Sequence, residues 1–316
     1  MSAPADAAHP EIPDVPQRFL VIGASGFVGR HLMQRLDSLG IPAVGTRSRS
    51  GKRALRENLV PFDLANDRIA DVLDPSFFDS PQPASLNAAI CATVDNMDAC
   101  FRDAAHYHRI YVDGICRLID DLVALGVRPV FFSTCYVFDG AKGFYSENHP
   151  VSPVNEYARQ KYAVEQHLAA HAPNGWTLRL DKIVGDDPGE ETLFTHWLRL
   201  VRENRPIVCI ADSELSPTYV GDVVEAVWRS AEWNLSGLHH VANPERFLRV
   251  DLARAFCRSL GVPNHPVVER PLKDFGFADA RALKSSLNGS RFEKLTGIQH
   301  TSMATVLARF AQRLAQ

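Results

Sequence analysis

VIGASGFVGR, residues Val21 to Arg30, places glycines at positions 23, 26 and 29. Upstream, Arg18–Ile22 is a short apolar run. Downstream, Phe27, Val28, Leu32 and Leu36 recur at helical spacing until Gly40. A strand, a glycine-rich turn and a helix in that order make a phosphate-binding element. Glycine permits a tight turn and lets the backbone approach a pyrophosphate. The helix N-terminus adds N–H donors and the positive end of its dipole. The loop is therefore expected to hold a dinucleotide, with Gly23, Ser25, Gly26, Phe27, Val28 and Gly29 against it.

Working outward, strands are predicted at Pro42–Thr46, Leu59–Leu64, Ala84–Ile90, Arg128–Thr134 and Trp176–Leu180. Helices are predicted over Asp98–Leu125 and Glu156–Ala170. Strands alternating with helices argue for βαβ units, hence an α/β fold with a Rossmann-type doubly wound parallel sheet. After Leu180 the rhythm is less regular, with helices in 188–204 and 218–233 and short strands in 206–210 and 238–243. The expected division is a dinucleotide-binding domain over 17–180, to which 215–242 returns. A smaller mixed substrate-binding lobe is expected from 181–214 and 243–316.

The bulk properties fit a globular protein of one large or two joined domains. The chain has 316 residues, 46% hydrophobic and 22% charged, with a net charge of -3. No basic excess points to nucleic acid or an anionic membrane. The six cysteines are scattered, with no CxxC and no zinc-like spacing, so they read as buried thiols and no metal site is expected. Residues 1–16 hold four prolines and lack a basic segment followed by an apolar run. They are expected to be a disordered tail, not a signal peptide. No membrane span is expected, and the location expected is cytoplasmic.

The end of the second strand reads Gly45-Thr46-Arg47-Ser48-Arg49, followed closely by Lys52 and Arg53. A carboxylate there would hold the ribose hydroxyls of NAD; none is present. Arg47, helped by Ser48 or Arg49, matches a 2′-phosphate, so the expected cofactor is NADP(H), with Thr46, Arg47 and Ser48 as contacts.

Tyr157 and Lys161 stand four apart, on one face of a predicted helix. A nearby ammonium favours phenolate and would lower the tyrosine pKa, suiting the pair to proton transfer. Thr134 ends the FFST strand, where its hydroxyl can donate to a carbonyl oxygen; Ser133 is the neighbouring alternative, and local backbone bonding is the plainer use of either.

These residues together resemble the extended short-chain dehydrogenase/reductases, and within them the dTDP-4-dehydrorhamnose reductases, over nearly all of Arg18–Ile298. GASGFVG is similar to that family's cofactor loop. FDLAN (Phe62–Asn66) resembles its adenine-flanking segment, which implies cofactor contacts at Asp63 and Leu64. NAAICATVD (Asn87–Asp95) resembles the stretch beside cofactor and substrate, implying Asn87, Ala88 and Ala89 for the cofactor and Val94 for the substrate. STCYVFDG, the run into NEYARQK, SPTYVGDVVEAV and SSLNGSRFEKLTGI resemble its later signatures. The resemblance implies Thr134, Tyr157 and Lys161 as the catalytic set, with Lys161 also on the cofactor ribose. It also implies substrate contacts at Cys135, Val137, Lys182 and Arg291, with Arg179 and the 285–291 stretch nearby.

Three departures stand out. Cys135 replaces an acid, Asp113 replaces an asparagine, and Lys182 replaces an aromatic residue. The expected reaction is reduction of a keto group on a nucleotide-linked deoxysugar, with hydride from NADPH and a proton from Tyr157. The alternatives are a sugar-nucleotide epimerase or dehydratase, and a non-catalytic NADP-binding regulatory subunit resembling the methionine adenosyltransferase β subunit. A homodimer through the Asp98–Leu125 helix and a magnesium contact at Glu190–Glu191 are further implications of the resemblance.

Overall fold

The computed structural model describes residues 16–49, 59–79, 86–94 and 96–316. The expected tail (all but its last residue), Lys52, Arg53 and the first two residues of the predicted 84–90 strand lie outside them.

Six strands run through the first part of the chain, with helices after β1, β3, β4 and β5: β1 (Arg18–Ile22), β2 (Ala43–Arg47), β3 (Val60–Pro61), β4 (Leu86–Ile90), β5 (Arg128–Thr134) and β6 (Trp176–Leu180). They form one parallel sheet in the order β6-β5-β4-β1-β2-β3, extended by a later strand, Gly237–Val241, that returns to pair with β6. This is the doubly wound Rossmann arrangement that the strand–helix rhythm implies.

Alternation along each strand separates two apolar layers. Phe19 and Val21 face one cluster, built with Leu32 and Leu36 of helix α1 (Phe27–Ser38). Leu20 and Ile22 face the other, built with Ile115, Ile119 and Val164. Covered on both faces, β4, β5 and β6 are buried at every position and mostly apolar, as central parallel strands tend to be, and their buried polar exceptions such as Asn87 and Arg179 are hydrogen-bonded. A third cluster, centred on Phe194, Trp197, Phe256 and Phe310, lies among helices from the second part of the chain.

The predicted long helix is broken. It runs as α3 (Met97–Arg102), α4 (Ala104–His108), a π turn at Arg109–Asp113, and α5 (Gly114–Ala124); the short α2 (Ile69–Val72) precedes them. The break falls at Asp103, whose backbone leaves the helical region and whose carboxylate accepts from His106 N–H as a new cap. β3 is shorter than predicted because its pairing with β2 covers only Val60 and Pro61. Asn155 caps helix α6 (Glu156–His171) through Ala158 N–H, and its amide also donates to Ala280 O. Among the described residues no helix is long and apolar enough to cross a membrane.

Candidate active site

The carboxyl ends of the central strands open onto a cleft of about 890 Å³. The sheet register aligns those ends, pairing Ile22 with Ile90, Ile90 with Phe131, and Thr134 with Leu180. The residues after each strand therefore converge: Gly23, Cys91, Cys135 and Asp181 all line the cleft.

One end of the cleft is the glycine loop. Gly23 has a φ of +82°, which an L side chain resists. A Cβ on Gly29 would sit 2.3 Å from Gly23 O, so glycine is what lets α1 start against the loop. α1 begins at Gly26 with no side-chain cap and no acid in its first turn, leaving N–H donors of the kind that cradle a phosphate. Ser25, Gly26, Phe27 and Val28 line the cleft; Gly29 does not, and acts by close packing.

Thr46, Arg47 and Ser48 line the same end. Arg47 makes a long bond to Ser48 O at 3.4 Å, whereas Arg49 is ion-paired with Asp67 at 2.8 Å. The guanidinium open to a ligand phosphate is thus that of Arg47. Asp63 and Leu64 also border the cleft. The Asp63 carboxylate accepts from Ala65 N–H and Asn66 Nδ2, bonds that hold it below the usual carboxylate range and commit it to its own turn.

The reactive end gathers Thr134, Cys135, Tyr157, Asp181 and Lys182. Thr134 Oγ1 accepts from Tyr136 N–H at 3.2 Å, which leaves its proton to donate elsewhere. Tyr157 is half-buried, with the side chains of Thr93 and Thr134 close to its phenol. Burial pushes that phenol up to about 12, opposed by the Thr93 and Thr134 hydroxyls. Lys161 is 7% exposed; its Nζ donates to Phe132 O at 2.8 Å and lies 6.0 Å from the Tyr157 ring. Burial lowers its ammonium to about 7, opposed by Glu165. The expectation that the lysine lowers the tyrosine pKa is therefore corrected: desolvation dominates both groups and moves them apart.

The Asp181 carboxyl, raised by burial, accepts from Cys135 Sγ at 3.2 Å and Ser285 Oγ at 3.0 Å. Cys135 thus lies beside an acid carried by the next strand end. Lys182 is exposed on the cleft wall. Partial desolvation and Arg249 hold its ammonium below the ordinary range, an effect that solvent at the exposed tip screens.

The chain matches the RmlD substrate binding domain model over residues 17–316. It belongs to that family. It is 26% identical over 288 residues to methionine adenosyltransferase 2 subunit beta of Danio rerio, covering 88% of this chain and 85% of the relative. It is 26% identical over 304 residues to dTDP-4-dehydrorhamnose reductase of Mycobacterium tuberculosis, covering 92% and 93%. A solved dTDP-4-dehydrorhamnose reductase of Bacillus anthracis, in complex with NADP, superposes with a TM-score of 0.76 at 23% identity, covering 93% of this chain and 98% of that one.

Within this RmlD-family chain, several expected contacts lie away from the cleft. Asn87, Ala88 and Ala89 are buried inside β4; Asn87 bonds Gln17 and Arg128 at the far end of the sheet. The cleft is met instead by Cys91, Ala92, Thr93 and Val94, because β4 runs on to Ile90 before its chain emerges. Val137 is fully buried against Phe138 and Tyr145. Arg291 is exposed on a helix, Ser290–Thr296, that packs beside the Gly237–Val241 strand. Arg179 is buried in an ion pair with Glu165 at 2.6 Å, and Ser133 is buried away from the cleft. Glu190 pairs with Arg30 and His31, while Glu191 borders the cleft. All six cysteines are free thiols. Sequence reasoning missed Thr93 and Asp181, although counting three residues past β4 and one past β6, in register with β1 and β5, would have reached the same cleft.

Proposed function

We propose that this chain is an NADP(H)-dependent oxidoreductase that reduces a keto group on a nucleotide-linked deoxysugar. The observation that carries the reading is a single cleft joining the uncapped α1 start, the Arg47 guanidinium and the Thr134–Tyr157 hydroxyls. The glycine loop and Arg47 would hold the dinucleotide, whose nicotinamide supplies hydride chemistry when bound. Thr134 donates to the substrate carbonyl and orients it. Tyr157, protonated at neutral pH, gives its proton to the forming alkoxide. Lys161, held by Phe132 O beneath Tyr157, positions the pair and offers its remaining hydrogens toward the ribose. Asp181 and Lys182 would meet the sugar or its nucleotide. The same reading places the dinucleotide on residues 17–180 with 215–242, the sugar nucleotide on 181–214 with 243–316, and two copies in a homodimer.

The test is NADPH oxidation with a panel of nucleotide 4-keto-sugars. Turnover that Tyr157→Phe removes by at least ~100-fold, with NADPH binding kept, supports the reading. Turnover indifferent to Tyr157→Phe refutes it.

The similarity to methionine adenosyltransferase 2 subunit beta favours a second reading, an NADP-binding regulatory subunit. It predicts tight NADPH binding, no keto-sugar turnover and a partner enzyme retained on the immobilised chain.

A further inference from the structure

On the sheet face opposite α1, helices α5 and α6 pack side by side. Three side chains meet there, none of them lining the cleft: Asp120 of α5, and His167 and His171 of α6. Their candidate ligand atoms all lie within 4.8 Å of one another. The spacing of His167 and His171, four residues, puts both imidazoles on one helical face, and the rings stack with centroids 4.1 Å apart.

The hydrogen bonds fix which atoms are available. His171 Nδ1 lies 2.9 Å from His167 O. A carbonyl only accepts, so Nδ1 carries the hydrogen and Nε2 presents a lone pair. Metal-binding histidines are oriented in this way, with the non-ligating nitrogen donating to a carbonyl. His167 Nε2 lies 2.7 Å from Asp120 Oδ1, with one hydrogen between them. A cation can take that hydrogen's place while His167 moves its proton to Nδ1, with no net change in protonation.

We propose that Asp120, His167 and His171 form a surface binding site for a divalent transition-metal ion of the zinc type. Two neutral imidazoles and one carboxylate are a borderline donor set, which suits zinc or nickel and does not suit magnesium or calcium. Zinc–nitrogen bonds of about 2.0–2.1 Å need ligand atoms about 3.3 Å apart. Asp120 and His171 are exposed and His167 is half-buried, so side-chain rotation can draw the three inward without disturbing the core. A water completes a four-coordinate shell. The bound ion would tie α5 to α6, so it stabilises the fold by binding the native state alone.

The experiment uses the full chain, stripped with a chelator and desalted, titrated with zinc chloride by calorimetry at neutral pH, with thermal midpoints recorded in parallel. His167→Gln, His171→Gln and Asp120→Asn are compared with the parent. The proposal expects one equivalent bound at micromolar affinity, with each histidine variant weaker by roughly tenfold or more. Zinc near the parent's Kd should raise the parent's midpoint and shift those of the histidine variants far less. The absence of saturable binding overturns the proposal. So does binding at the parent's affinity in either histidine variant, which would place the ion on the free thiols or on other histidines.

Discussion

Gly29→Ala is the perturbation most tightly specified by the structure. The added methyl would lie 2.3 Å from Gly23 O and 2.8 Å from the Ala24 Cα. Ordinary contact begins near 3.4 Å, and both obstacles are backbone, so no side chain can swing aside. The start of α1 must retreat from the loop by roughly 1 Å. Overpacking of this kind costs about 1–3 kcal/mol. Alanine returns up to about 1 kcal/mol through its better helix propensity. A net loss near 1–2 kcal/mol is expected, lowering the urea midpoint by roughly 0.5 M at an m-value near 3 kcal/mol/M. The larger effect is on the cradle, since a displacement of about 1 Å misaims the N–H groups at the phosphates and can cost on the order of 100-fold. The assay pairs urea unfolding with a fluorescence titration by NADPH. Gly40→Ala is the control, with a φ of +68° and nothing within 4 Å of the added methyl: it should lose stability without losing dinucleotide. If Gly29→Ala kept wild-type affinity and stability, the close approach of α1 to the loop would not be what makes the cradle.

Three further outcomes can be checked. Glu165→Gln leaves the buried Arg179 guanidinium without its 2.6 Å partner and should cost on the order of 3 kcal/mol in chemical denaturation, whereas Arg205→Ala, at an exposed pair, should cost less than about 0.5 kcal/mol. Lys161 titrates near 7 when folded, below its ordinary value of 10.5, so from about pH 7 to 10 the unfolded chain holds a proton that the folded chain has released. Its contribution makes stability rise with pH across that window, and Lys161→Met should flatten the slope. Asp181→Asn should shift KM for a nucleotide keto-sugar more than it shifts the affinity for NADPH, because the Asp181 carboxyl is at the Cys135–Ser285 end of the cleft and not at the glycine loop.

Much of the fold was legible because the strong signals are local. β1, β5 and β6 coincide with their predicted bounds because each is a short, mainly apolar segment buried almost throughout. The glycine loop could be read from spacing, since its glycines answer backbone clashes that no other residue avoids. The broken Asp98–Leu125 helix was not legible: apolar periodicity continues through it, and only the capping by Asp103 reveals the interruption. Thr134, Tyr157 and the Arg47 turn were singled out from motif context, and they line one cleft. Asn87, Ala88 and Ala89 were misplaced because a motif match locates a segment without fixing which of its residues leaves the sheet. Asp181 was overlooked because its partners, Cys135 and Ser285, are 46 and 104 residues away in the chain. The opposed shifts of Tyr157 and Lys161 follow from burial, which residue spacing does not report.

The most direct test of the central claim is a titration of the purified chain with NADPH and with NADH, followed by fluorescence, for the parent and for Arg47→Ala. The account predicts at least tenfold tighter binding of NADPH, with the preference lost in Arg47→Ala while NADH binding stays unchanged. Equal affinity for both dinucleotides, or a preference that survives Arg47→Ala, would contradict the assignment of Arg47 to the 2′-phosphate. Failure of both to bind at micromolar concentration would remove the dinucleotide from the cleft altogether.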